Sequence, residues 1–145
     1  MGETEEEIIG VIFLNLGGPD SLQAVRPFLF NLFSDREIIR LGPPFLQKPL
    51  AWLISYLRSK KTKKLYSLIG GKSPILDITM AQANALEELL NSSLVTRQGS
   101  PPVFPPHRGW RVREGVKFKV YIGMRYWHPF IDNVVSDIYR NGVKK

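Results

Sequence analysis

At 145 residues the chain has room for one small domain, and a hydrophobic fraction of 43% is enough to build its core. It has no cysteine and only two histidines, His107 and His128. That excludes disulfides, thiolate zinc sites, cysteine-ligated iron–sulfur clusters, a cysteine nucleophile and a multi-histidine metal site within one copy. The net charge of +7 favours anionic partners: nucleic acid, a membrane surface, or a ligand bearing carboxylate or phosphate.

The charge is uneven. Glu3, Glu5, Glu6 and Glu7 open the chain, the wrong sign for a signal peptide. The longest apolar stretch, about Ile8 to Leu14, is far short of a bilayer span. A soluble cytoplasmic protein is expected. Ile8-Ile9-Gly10-Val11-Ile12-Phe13-Leu14-Asn15-Leu16 predicts a strand buried on both faces, in the middle of a parallel sheet. Gly17-Gly18-Pro19-Asp20-Ser21 is a turn with Ser21 as N-cap. Leu22, Val25, Phe28, Leu29, Leu32 and Phe33 then repeat at helical spacing, with Pro27 forcing a kink or a late start.

Gly42-Pro43-Pro44 interrupts the chain, and Pro49 suits a first helical position. Leu50, Leu53, Ile54 and Leu57 make an apolar stripe broadened by Trp52 and Tyr56. Leu65, Leu68 and Ile69 make another, ended by Gly70-Gly71. Between them fall Arg58, Lys60, Lys61, Lys63 and Lys64, which on composition read first as a solvated helix face and second as an anion surface. Ser73-Pro74 restarts the chain. Thr79 and Gln82 have capping-box spacing, and Ile78, Ala81, Ala85, Leu86, Leu89 and Leu90 form the next helix face. Residues 92–114, rich in Ser, Gly and Pro and without a period, predict a mobile loop carrying His107.

Lys117-Phe118-Lys119-Val120-Tyr121-Ile122 alternates, marking a strand with one open side. Phe130, Ile131, Val134, Val135, Ile138 and Tyr139 form a last helix over about 129–141, stopped by Gly142. The order predicts an α/β fold in which residues 9–15 and 118–122 pair in parallel through a right-handed crossover. Only two strands are found, whereas open sheets usually hold more. The chain is therefore expected to be a fragment.

Ligands of open α/β sheets bind beyond the C-terminal strand ends. The segments there are Asn15-Leu16-Gly17-Gly18-Pro19-Asp20 and Gly123-Met124-Arg125-Tyr126-Trp127-His128. The first lacks the third glycine of a dinucleotide fingerprint and reads as a structural turn. In the second, an arginine, two aromatics and a histidine suit a flat, anionic, partly apolar molecule, or the aromatics pack inward and His128 caps a helix.

Leu14-Asn15-Leu16-Gly17-Gly18-Pro19, Val25-Arg26-Pro27-Phe28-Leu29, Leu32-Phe33-Ser34-Asp35, Ile69-Gly70-Gly71-Lys72-Ser73-Pro74 and Met124-Arg125-Tyr126-Trp127-His128-Pro129-Phe130 closely resemble ferrochelatase. The resemblance covers about residues 8–145, apart from an insertion near 92–114, and corresponds to the N-terminal part of the family. It implies a flavodoxin-like (chelatase-type) parallel sheet with flanking helices, incomplete in this chain. It also implies a lyase of haem biosynthesis that inserts ferrous iron, as substrate, into protoporphyrin IX or coproporphyrin III, without a cofactor. The segment from about 30 to 73 becomes the lip of the porphyrin cleft. Lys61 and Ser73 match positions contacting porphyrin propionates, and Tyr66 lies nearby. Arg125 and Tyr126 match positions facing the macrocycle, and Leu16 matches the residue opposite the catalytic histidine.

The sequence departs from the family in places. Lys61 stands where some relatives have arginine, losing bidentate geometry. Leu16 replaces methionine or tyrosine, so that position offers no metal ligand. Lys72 replaces a glycine. The family's catalytic histidine and partner glutamate belong to its C-terminal half, so no catalytic residue or metal ligand is assigned here. The implied partners are porphyrin, ferrous iron and that half of the enzyme, with no nucleic acid and with peripheral membrane contact left open. The chain alone is expected to be inactive. Two other readings are a half-size chelatase that rebuilds the cleft as a homodimer, and a non-catalytic basic binding module. The second lacks any helix-turn-helix, RNA-stacking or zinc signature.

Overall fold

The computed structural model describes residues 7–95, 116–140 and 143. Among them the order is β1 (Glu7–Asn15), α1 (Val25–Ser34), a 3-10 turn (Pro44–Leu46), α2 (Gln47–Ser67), α3 (Ile75–Val95), β2 (Val116–Met124) and α4 (Ile131–Arg140). β1 and β2 form a parallel pair from Glu7↔Val116 to Asn15↔Met124, which includes the expected pairing of 9–15 with 118–122. The arrangement is the expected α/β one, a small parallel sheet with flanking helices.

The two strands differ in their surroundings. α3 and α4 both pack on β2. The outward backbone of β2 is satisfied by α3 side chains. Asn91 accepts from Phe118 N and donates to Phe118 O, both at 2.9 Å, and Glu87 accepts from Val120 N at 2.7 Å. An edge strand finished this way has no open ladder at those positions. β1 does not match the expectation of burial on both faces. Ile8, Ile12 and Leu14 are exposed, because α3 and α4 pack mainly over the neighbouring strand, with α4 meeting that face of β1 at Gly10 through Ile138.

α1 starts late, as Pro27 requires: the helix begins at Val25, so the missing N–H falls within the first turn. Ser21 does not cap it directly; its Oγ accepts from Ala24 N in the turn before the helix. α2 runs through the first apolar stripe and as far as Leu65 of the second, leaving Leu68 and Ile69 in the turn after it, and its buried face is not the apolar one. Gln47, Ala51, Ser55 and Ser59 face inward at four-residue spacing, while Trp52, Leu53, Tyr56, Leu57 and Leu65 are exposed. α1 presents bulky Val25, Leu29 and Phe33, so small residues opposite allow close approach. The two serines tolerate burial because each hydroxyl donates within its own helix, to Trp52 O and Tyr56 O at 2.8 Å. Gly70 and Gly71 both have positive φ after the helix, as a terminator requires.

α3 corrects the capping-box expectation. Thr79 lies inside the helix, fully buried, and its hydroxyl donates to Ile75 O at 2.6 Å. The start is at Ser73-Pro74, where Ser73 Oγ accepts from Ile75 N. The buried residues are Thr79 and Ala83, whereas Ile78, Ala81 and Ala85 are exposed, so the packing face is rotated from the predicted one. The helix also runs through residues 92–95, part of the segment expected to be loop. Asn91 is fastened to β2 and Ser92 Oγ donates to Leu89 O, which carries the helix onward. The rest of the expected loop, with His107, lies outside the described residues, apart from the helical residues 92–95. No helix among the described residues is long and apolar enough to cross a membrane.

Candidate functional site

The parallel ladder does not stop at the strand ends. Arg125 N donates to Asn15 O and Tyr126 N to Leu16 O, both at 3.0 Å, so the two segments beyond the strands stay side by side. Asn15 organises this corner. Its Oδ1 accepts from Leu16 N at 2.8 Å and its Nδ2 donates to Thr79 Oγ1 at 3.0 Å. Gly17 follows with φ +83°, a conformation that favours glycine, and Gly18 lies against Ser73. A Cβ at Gly18 would fall 2.6 Å from Ser73 Cβ. Ser73 N donates to Pro19 O at 2.8 Å, fastening the start of α3 to the turn after β1.

At the end of β2, Arg125 and Tyr126 converge on Asp35, the residue after α1. Arg125 Nε and Nη2 reach Asp35 Oδ2 at 2.8 and 2.6 Å, and Tyr126 Oη donates to the same oxygen at 2.7 Å. Asp35 Oδ1 accepts from Glu37 N at 2.9 Å. The guanidinium also lies 5.7 Å from the Tyr126 ring centroid. Asn31 Nδ2 donates to Tyr126 O at 3.1 Å, so α1 holds the strand end at two points. The Tyr126 hydroxyl, then the Glu37 amide and Arg125, hold the Asp35 carboxyl below its ordinary value against the opposing effect of burial. Burial first, and Asp35 second, raise the Tyr126 phenol above its ordinary value.

The sequence-predicted residues divide into two groups. Leu16, Ser73, Arg125 and Tyr126 meet around the strand ends. Leu16 is 52% exposed, whereas Tyr126 is 3% exposed, so its phenol is mostly inside and its hydroxyl is occupied by Asp35. Lys61 and Tyr66 belong to α2. Tyr66 packs against the core shared by α1 and α2, and its carbonyl accepts from Ile69 N and Gly71 N. Lys61 is exposed, with no ion-pair partner among the described residues. His128 is exposed, edge-on to the rings of Trp127 and Phe130. Asp35 was not among the predicted site residues. Its signal was an acid just past a helix end, in the run Leu32-Phe33-Ser34-Asp35, and only the crossover brings it to Arg125.

Chemically, the corner offers the exposed apolar side chain of Leu16 and a guanidinium with one edge fixed by Asp35, while the glycine turn beside them is filled by Ser73, Met124 and Trp127. Such a surface suits a flat ligand with anionic substituents. Among the described residues no cluster of three or more His, Asp or Glu could hold a metal ion.

Residues 8–145 match the family model for ferrochelatase. The chain is 52% identical over 137 residues to a ferrochelatase of Gloeothece citriformis, an overlap covering 94% of this chain and 30% of that protein. It is 54% identical over 130 residues to a ferrochelatase of Synechocystis, covering 90% and 28%. A ferrochelatase of Sulfurihydrogenibium is 44% identical over 140 residues, covering 97% and 34%. The chain thus spans about a third of the length of these curated relatives.

Proposed function

The chain belongs to the ferrochelatase family, and from that premise we propose that it supplies one wall of a cleft in which ferrous iron is inserted into a porphyrin. The observation that carries this reading is the Arg125–Asp35–Tyr126 cluster beside exposed Leu16, at the C-terminal end of a parallel sheet. Ferrous iron is the substrate, and no resident cofactor is assigned.

Metal insertion exchanges pyrrole protons for a divalent ion. The macrocycle must bend enough to expose its nitrogen lone pairs, and a base must take the protons. In this reading Leu16 supplies an apolar contact that resists a flat ring by shape, and Tyr126 backs the same wall from below. Arg125 faces the macrocycle. Lys61 and Ser73 take the propionates, Lys61 as an unpaired ammonium and Ser73 through the hydroxyl proton left over after its oxygen accepts from Ile75 N. Tyr66 sets the end of α2 between them. The exposed apolar residues of α2 and its basic run suit a lip for a dicarboxylate with a greasy face. The base and the metal-handling carboxylate are assigned to the part of the relatives that this chain does not span. We further propose a cytoplasmic location, with exposed side chains of α2 such as Trp52 and Leu57 available for peripheral membrane contact.

The test is metalation by a full-length enzyme carrying this sequence. Arg125→Ala and Lys61→Ala should each weaken porphyrin binding or slow metalation, about ten- to a hundredfold for loss of a charge-assisted hydrogen bond. Unchanged kinetics in both would remove them from the site. Residues 1–145 alone should form no zinc porphyrin above the protein-free rate in an anaerobic assay. Clear zinc insertion would instead favour a homodimeric half-size chelatase.

A further inference from the structure

Asp35 divides its two carboxylate oxygens between two tasks. Oδ1 accepts from Glu37 N and shapes the turn after α1, a task that an asparagine oxygen performs equally well. Oδ2 takes three donors from residues about ninety positions away: Nε and Nη2 of Arg125 and the hydroxyl of Tyr126. Only a carboxylate can serve both oxygens at once, because the amide nitrogen of asparagine donates and does not accept. The stability such an ion pair brings is modest, since the Arg125 side chain is 44% exposed. What the geometry does supply is orientation. One edge of the guanidinium is fixed, the plane is held near the Tyr126 ring, and Nη1 has no partner among the described residues.

We propose that Asp35 is a positioning residue: it fixes Arg125 and Tyr126 as one unit, so that the unused edge and face of the Arg125 guanidinium meet a flat anionic ligand without first being ordered. This rests on the porphyrin reading above and adds a residue to it. Ordering a long, rotamer-rich side chain in advance removes a cost that binding would otherwise carry. Asp35 acts entirely through Arg125 and Tyr126 and touches no ligand itself.

The test is a double-mutant cycle in a full-length enzyme carrying this sequence, with protoporphyrin as the probe, read by fluorescence titration. Asp35→Asn keeps the Oδ1 contact and removes the other, and should weaken binding about tenfold. Combining it with Arg125→Ala should cost clearly less than the sum of the two single losses, the remainder being the part that acts through Tyr126. Additive losses, or tighter binding by Asp35→Asn, would overturn the positioning role. Nuclear magnetic resonance supplies a readout independent of porphyrin. The Arg125 Nε–H signal should be distinct and slow to exchange, and should join the solvent-exposed arginines in Asp35→Asn. An unchanged signal would overturn the proposal. If Asp35→Asn fails to fold, Arg125→Lys replaces it, since an ammonium cannot present two fixed donors to one oxygen; unaltered binding by that variant would also overturn it. Failure of the unsubstituted full-length enzyme to bind protoporphyrin, with the Nε–H signature intact, would sink the porphyrin reading and leave the clamp as geometry without a ligand.

Discussion

The pair α1–α2 and the unit β1–β2–α3–α4 are held together in different ways. The helical pair has a core of its own, built from Val25, Leu29, Phe33 and Ala51 with Phe28, Ile39, Leu41 and Ile54 around it. Its connecting loop is tied by one buried side chain. Gln47, 2% exposed, donates to Phe33 O at 2.7 Å and Ile39 O at 2.8 Å and accepts from Leu41 N at 3.2 Å. All of these partners lie within a short stretch of chain. The sheet unit depends on strands more than a hundred residues apart in sequence, joined through Met124, Thr79, Ala83 and Val134 and through the backbone ladder. Local closure makes a helical pair cheap to form. Distant closure makes the sheet, and the Arg125–Asp35–Tyr126 corner built at its end, depend on everything in between.

Substitutions that strike one region and spare the other should break this comparison. The largest effect is expected from Met124→Ala, which empties a fully buried position at the end of β2. It should cost about 2–5 kcal/mol in urea unfolding. Hydrogen exchange should accelerate in β1 and β2 while α1 and α2 keep their protection; equal acceleration everywhere would mean that the two regions open as one. Next comes Gln47→Leu, which leaves two carbonyls and an amide without their partner. Its expected cost is about 2–3 kcal/mol, with protection lost first at Leu41 and in the neighbouring helix ends.

The acid limb of stability sharpens the comparison at the junction, where Asp35 joins α1 to β2. Its folded carboxyl titrates below the ordinary value of 3.8, so it is ionised and stabilising above that value. The contribution is lost as pH falls from there through the lowered folded value. Urea midpoints measured downward from pH 6 should therefore fall less steeply for Asp35→Asn than for the unsubstituted protein in that acid window. Parallel curves would show that the contacts at Oδ2 do not bear on stability. The smallest effect is expected at Lys72, whose 2.7 Å pair with Asp77 is exposed on both sides. Lys72→Ala should shift stability by less than about 0.5 kcal/mol.

Much of this was legible in the chain. The apolar run at Ile8–Leu16 and the alternation at Lys117–Ile122 located both strands, and the helical patterns between them pointed to a crossover and a parallel pair. Paired glycines marked the end of α2, and Pro27 marked the late start of α1. These features act through backbone geometry, which a residue carries wherever it stands. The motifs around Leu16, Ser73 and Arg125 likewise pointed to the corner where those residues meet.

Which face of a helix is buried was decided by its neighbour. α2 turns Ala51, Ser55 and Ser59 inward because α1 is bulky and a serine hydroxyl can satisfy itself on its own helix, so counting apolar residues selects the wrong side. Thr79 resembles a cap in sequence, yet a helix already begun at Ser73-Pro74 carries it into the interior, where Asn15 meets it. The exposure of Ile8, Ile12 and Leu14 follows from α3 and α4 packing mainly on the other strand. Asp35 became part of the site only when the crossover carried Arg125 and Tyr126 to within hydrogen-bonding reach of it. That distance belongs to the folded chain, because short-range patterns encode local torsions and periodicity, while contacts between residues 35 and 125 exist only once the sheet has closed.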